Sequence, residues 1–214
     1  MGYNSEFRRS IDQRDEFWRE QAAAIDWITP PDTIWRAKAN GHGEWFPDGV
    51  LNTCDVALDA NIRAGRGDQV ALIYDSPVSQ TQQSYTYNQL RDAVARFAGA
   101  LKSQGIRKGD RVVIYMPMVP QAAVAMLACA RLGAVHSVVF GGFAPHELAV
   151  RIEDARPKAL ITASCGIEVS RVIEYKPLVD KAIAQSQHKP EFCVVLQRPQ
   201  AHADLEAGRD LDWE

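Results

Sequence analysis

The apolar positions follow two regimes along the chain. From about Val50 onward, short continuous apolar runs alternate with stretches that place apolar residues every three or four positions. The runs Val70–Tyr74, Arg111–Met116, Val135–Phe140, Ala159–Thr162 and Phe192–Leu196 are rich in β-branched residues and predict strands buried on both faces. Between them the spacing predicts helices over Asn52–Ala64, Thr86–Ser103, Val119–Leu132, Pro145–Ala155 and Lys176–Gln187. In the second of these, Leu90, Val94, Phe97, Ala98 and Leu101 share a face. Thr86 and Gln89 stand at capping-box spacing, and Gly105 is placed to end that helix in a left-handed turn. Pro120 occupies a first-turn position that tolerates a missing amide hydrogen.

Strand and helix in strict alternation imply a doubly wound α/β fold: a largely parallel sheet with helices on both faces. Residues 1–49 read differently. A helix is expected over Ser10–Ile25, followed by Pro30-Pro31 and the loop Asn40-Gly41-His42-Gly43. Trp18, Trp27, Trp35, Trp45 and Phe46 are concentrated here, whereas disordered linkers are poor in aromatics. An N-terminal helical and irregular extension wrapping on the body is therefore expected for 1–49, and the α/β part for 50–214. The tail from Gln197 to Glu214 reads as polar loop, with nothing resembling a domain end, so a truncated chain is expected.

Composition narrows the function classes. A formal net charge of −3 over 214 residues argues against a general nucleic-acid or anionic-membrane binder. Residues 1–17 carry charges and no apolar h-region, and Glu6 stands where a myristoylation signal requires Ser or Thr. The stretch Pro120–Phe143 is interrupted by Gln121, Arg131 and His136, which reads as core rather than membrane span. Cys54, Cys129, Cys165 and Cys193 show no Cys-x-x-Cys spacing and read as free thiols of a reducing cytosol.

The common phosphate cradles of doubly wound sheets are missing. No Gly-x-Gly-x-x-Gly follows a strand, and there is no Gly-x-x-x-x-Gly-Lys-Ser/Thr, no Gly-x-Ser-x-Gly and no His-Glu-x-x-His. Gly141-Gly142, directly after the strand ending at Phe140, is the informative feature. Ligands of open α/β sheets sit at the carboxyl ends of strands, and glycine lets a ligand approach backbone. A tight turn accounts for the pair equally well. His136 reads as a packing histidine, and Arg151, Glu153 and Asp154 as a solvated helix face.

The run Leu127–Phe143, containing Gly-Ala-Val-His-Ser-Val-Val-Phe-Gly-Gly-Phe, resembles the acetyl-CoA and propionyl-CoA synthetases among the AMP-forming adenylating enzymes. Tyr115-Met116-Pro117-Met118, Arg151-Ile152-Glu153-Asp154-Ala155, Phe17-Trp18 and Trp45-Phe46 extend that resemblance over essentially the whole chain. Met116-Pro117-Met118, Gly166-Ile167-Glu168 and Gly208–Trp213 look more like the propionate–CoA ligase branch than the acetate–CoA ligase branch.

The resemblance implies the first part of the large adenylate-forming domain. The complete enzyme would turn a short-chain carboxylate, ATP with Mg2+, and CoA into acyl-CoA, AMP and pyrophosphate. The phosphate loop, the adenine-binding segments and the catalytic lysine have no match here, so no catalytic residue and no metal ligand is expected in this chain, and no turnover by it alone. The carry-over is confined to the CoA nucleotide: Phe140, Gly141 and Gly142, with Glu168, Val169, Ser170 and Arg171. The resemblance puts an aromatic ring and glycine backbone against adenine, and Arg171 against the 3′-phosphate, for which a forked donor is chemically suited. Acetyl-CoA synthetases typically carry arginine where Glu168 stands. Arg171 could instead pair with Glu168 on the surface. Partners are expected to be these small molecules, with self-association of the truncated sheet through an uncovered apolar face. The rival from another class is a non-catalytic doubly wound module binding a nucleotide or a protein.

Overall fold

The computed structural model describes residues 2–214. The extension opens with two short helices, α1 (Tyr3–Asp12) and α2 (Arg14–Ala22), broken at Gln13, in place of the single helix expected over Ser10–Ile25. A small antiparallel pair follows, β1 (Trp35–Ala37) with β2 (Gly43–Trp45). The aromatic side chains of this part close on one another: Trp45 meets Trp18 at 5.5 Å and Trp35 at 4.9 Å between ring centroids, and Trp27 meets Phe46 at 5.6 Å. Arg63 ties the segment to the body by pairing with Asp26 at 2.6 Å and Asp55 at 2.8 Å.

The stretch expected as one helix over Asn52–Ala64 forms two π-helical turns, Asp55–Asp59 and Ile62–Arg66, with Gly65 at φ +81°. Periodicity cannot separate i+4 from i+5 closure over so few residues. A hairpin then departs from strict alternation: β3 (Val70–Ser76) pairs antiparallel with β4 (Thr81–Thr86). The second strand, Thr-Gln-Gln-Ser-Tyr-Thr, has no apolar run and was not expected.

The remaining elements run in order: α3 (Tyr87–Ser103), β5 (Arg111–Met116), α4 (Pro120–Leu132), β6 (Val135–Phe140), α5 (Pro145–Ala155), β7 (Ala159–Ala163), β8 (Cys165–Glu168), β9 (Arg171–Glu174), α6 (Tyr175–Gln185), β10 (Phe192–Leu196) and β11 (Asp210–Asp212). The capping box forms as expected, Gln89 N donating to Thr86 Oγ1 at 3.2 Å and Thr86 N donating to the Gln89 side chain at 2.9 Å. Gly105 takes φ +84° after α3.

The parallel sheet has the order β11-β10-β7-β5-β6. Counting parallel strands along the chain, this is the doubly wound order 2-1-3-4-5, in which the chain steps out to β6 and then returns across β5 to β7. Side-chain alternation divides the core. Val112, Ile114, Met116, Ile161 and Val194 face α3 and α4, whereas Val113, Tyr115, Leu160 and Cys193 face α5 and α6. Two expectations fail here. The tail is not all loop, because Asp210–Asp212 pairs parallel with β10. His136 does not pack in the core, because β6 is an edge strand and leaves it exposed.

Candidate functional site

Strand order places the site. In doubly wound sheets ligands occupy the carboxyl-end crevice where the strand order reverses, which here is the end of β5. The two predicted segments would open on the same rim if β6 and β7 were neighbours. They are not: β5 lies between them. They meet by another route. After β7 the chain enters the antiparallel hairpin β8–β9, which puts Glu168 opposite Arg171 across a two-residue turn of Val169 and Ser170. This hairpin reaches over the end of β5 to the Gly141-Gly142 turn, so that a side chain built on Gly142 would stand 2.8 Å from Glu168 Oε1.

The first segment is shaped from beneath. Tyr115, the penultimate residue of β5, is fully buried. Its hydroxyl donates to Phe143 O at 2.9 Å and accepts from Gly142 N at 3.1 Å, holding both sides of the turn. Burial pushes the Tyr115 phenol pKa up, the Gly142 N–H bond opposes that, and the nearby Glu168 charge adds to it. Tyr175, the first residue of α6, packs at 5.0 Å from the Tyr115 ring. Burial, reinforced by Tyr115 and Glu168, pushes its pKa up to about 12.

These contacts explain the glycines. A Cβ on Gly141 would stand 2.7 Å from the Tyr175 hydroxyl and 2.8 Å from Met116 O, and a Cβ on Gly166 would overlap the same hydroxyl. Gly142 sits at φ +104°, where side chains are strained. Of the two readings open for Gly141-Gly142, the turn is thus required by packing, and the outer face stays available to a ligand.

Phe140 offers that outer face an aromatic surface. Its ring is 67% exposed and stands 5.7 Å from Phe143, whose ring carries the Arg151 guanidinium at 5.0 Å. Glu168, Val169, Ser170 and Arg171 are all exposed. Val169 is 92% exposed at φ +56°, an outlying conformation for a β-branched residue. Glu168 and Arg171 face each other in register without an ion pair between them. The residues present fit a CoA nucleotide in part: an exposed ring and glycine backbone suit a flat base, and Arg171 suits a phosphate, but Glu168 brings a negative charge to the same turn.

The wider cavities lie elsewhere. One of ≈ 550 Å³ opens at the amino end of β6, bordered by Asn52, Lys108, Arg131 and His136. Another, of ≈ 420 Å³, is an apolar trough bordered by Ile73, Met116, Met118 and Val138. Among the described residues no group of three His, Cys, Asp or Glu side chains is placed to hold a metal ion. All four cysteines are free and buried, with Cys129 and Cys193 pushed up to about 12 by burial. Among the described residues no helix is long and apolar enough to cross a membrane. Sequence reasoning missed Tyr115, Tyr175 and Gly166. A tyrosine inside an otherwise aliphatic strand was the available signal, because a buried hydroxyl needs a partner.

Comparison with known proteins follows this geometry. The family described as AMP-binding enzyme matches residues 59–213, and the acetyl-coenzyme A synthetase N-terminus matches residues 3–57. The chain is 61% identical over its whole length to an uncharacterized protein of Pseudomonas aeruginosa, covering 34% of it. It is 44% identical over 99% of its length to acetyl-coenzyme A synthetase of Shewanella denitrificans, covering 33% of it, and 40% identical over 100% to propionate–CoA ligase of Escherichia coli, covering 34% of it. The acetoacetyl-CoA synthetase structure from Streptomyces lividans superposes with a TM-score of 0.86 at 27% identity, over all of this chain and 32% of that one. The chain therefore spans about a third of the length of the relatives it matches.

Proposed function

The chain belongs to the AMP-binding enzyme family, and from that premise we propose that it forms the first part of the large domain of an AMP-forming short-chain acyl-CoA ligase. Carboxylate would attack the α-phosphate of ATP to give acyl-adenylate and pyrophosphate, and the CoA thiol would then displace AMP. The residues of this chain take part in the second step only, by holding the CoA nucleotide. Convergence of the Phe140–Gly142 turn and the Glu168–Arg171 turn at the sheet's reversal point supports this reading. Phe140 faces adenine, and Arg171 binds the 3′-phosphate. Mg2+ would accompany ATP, on residues that this chain does not supply. A cytoplasmic setting agrees with four free thiols.

Propionate is the favoured acid and acetate the alternative. The segments that carry the preference have local roles here: Gly166 makes room for Tyr175, and Arg209 and Asp210 join an ion cluster. The family resemblance places the acyl pocket outside this chain, and the preference is to be read from kcat/KM of the full-length protein with each acid.

The site is tested in the full-length protein. Arg171→Ala should raise KM for CoA about 5- to 150-fold, the equivalent of one partly exposed charged hydrogen bond. Pyrophosphate release in the adenylation half-reaction should not change, and 3′-dephospho-CoA should be insensitive to the substitution. Glu168→Arg should lower KM for CoA. Slowed adenylation with unchanged CoA saturation would make Arg171 structural. Residues 1–214 alone should release no pyrophosphate from ATP, Mg2+ and propionate.

A further inference from the structure

We propose that Tyr115 and Tyr175 are positioning residues for the CoA nucleotide: a pair of packed phenols, tilted at 45° to each other, that sets the spacing between the two turns of its site. The proposal rests on the CoA-site reading above and deepens it.

The two turns come from distant parts of the chain and share no strand pairing. β6 and β7 are separated by β5, so no sheet hydrogen bond fixes the Gly141-Gly142 turn relative to the β8–β9 hairpin. The phenols supply that reference. Tyr115 rises from β5, the strand between them, and its hydroxyl uses both donor and acceptor capacity on one turn, at Phe143 O and Gly142 N. Tyr175 follows the hairpin directly, and its backbone N–H donates to Ser164 O at 2.9 Å, beside the start of β8. The Tyr175 hydroxyl lies where it would meet a side chain on either Gly141 or Gly166, one glycine from the first turn and one from β8 of the hairpin. It therefore acts as a spacer touching both. A ligand that bridges the outer faces of the two turns, with a base on one and a phosphate on the other, depends on their separation. A shift of one turn by the width of a hydroxyl would misplace Arg171 from a phosphate whose base rests on Phe140.

Two variants remove only an oxygen each. In the full-length protein, Tyr115→Phe should weaken CoA about tenfold, in KM and in the dissociation constant from isothermal titration calorimetry. The adenylation half-reaction should be unchanged. Amide exchange at Gly142, followed by NMR in residues 1–214, should accelerate because its acceptor is gone. Tyr175→Phe keeps the packing of the two rings and should weaken CoA about threefold, which tests the spacer if Tyr115→Phe fails to fold. If Arg171→Ala weakens CoA but neither tyrosine variant does, the phenols are packing residues and the proposal fails while the site stands. If none of the three moves CoA affinity, the site reading falls and the proposal with it. Loss of adenylation in step with CoA affinity would also overturn it, because spacing of these turns concerns CoA alone.

Discussion

The two edges of the sheet are built in opposite ways. At one edge stands β11, three residues long, polar, and clamped by charge. Lys176 Nζ lies 2.8 Å from Asp210 and 2.7 Å from Asp180, and Arg209 Nε lies 2.7 Å from Asp210. The Asp210 side chain is fully buried and that of Lys176 nearly so, with 5% exposed. At the other edge stands β6, six residues long and apolar, with Val135 and Val138 each 54% exposed and Phe140 67%. Ile73 and Met118, 74% and 88% exposed, continue that surface along the trough beside it. A short charged strand discourages further pairing, whereas a long apolar edge invites it. The β11 edge is closed and the β6 edge is open, and the candidate site sits where the carboxyl ends of β5 and β6 lie side by side.

The sharpest test of the closed edge removes a buried charge. Lys176→Ala leaves Asp210 with Arg209 and the Glu206 N–H and should destabilise residues 1–214 by about 3 kcal/mol in urea denaturation. A change below about 0.5 kcal/mol would mean that β11 is held by β10 pairing and not by charge. The same cluster makes a pH prediction. Burial raises the Asp210 pKa, but Arg209, Lys176 and the Glu206 N–H together outweigh it and hold the carboxyl below its ordinary value. A folded pKa below the unfolded one gives stability that is complete above about pH 4 and lost as pH falls through the depressed value. Asp210→Asn should flatten that acid limb. The open edge gives the smallest effect on stability and a visible one on association. Val138→Lys should change folding free energy by no more than about 0.5 kcal/mol, since the side chain is half exposed. It should nonetheless reduce the self-association that light scattering is expected to show for residues 1–214. A wild-type chain that stays monomeric at every concentration would break the contrast between the edges.

Legibility in the sequence followed the range of the interaction. β5, β6 and β10 and the helix α5 have the ends their residues predicted, because a buried strand shows as an apolar run and a helix as a stripe. Caps were legible for the same reason: Thr86 and Gln89 act over three residues. β4 was missed because half-exposed polar strands leave no run, and β11 because its partners, β10 and Lys176, come from earlier in the chain, Lys176 more than thirty positions earlier. At the candidate site, glycines after a strand singled out the first turn and the family resemblance singled out the second, but neither showed how the two meet. Nothing in residues 140–171 states that β5 lies between β6 and β7.

The amino-acid pattern settled what is local: which segments are strands and helices, which turns need glycine, and where an aromatic ring and an arginine are available. Folding settled what depends on distant partners: the 2-1-3-4-5 order, the ion-clamped and apolar edges, and the meeting of Gly142 with Glu168 above β5. It also placed the hydroxyls of Tyr115 and Tyr175, which look like ordinary core residues in the sequence, against the Gly141-Gly142 turn. The reason is that periodicity and capping act within one element, whereas a buried phenol, a buried carboxylate and a strand edge take their meaning from whatever the rest of the chain brings against them.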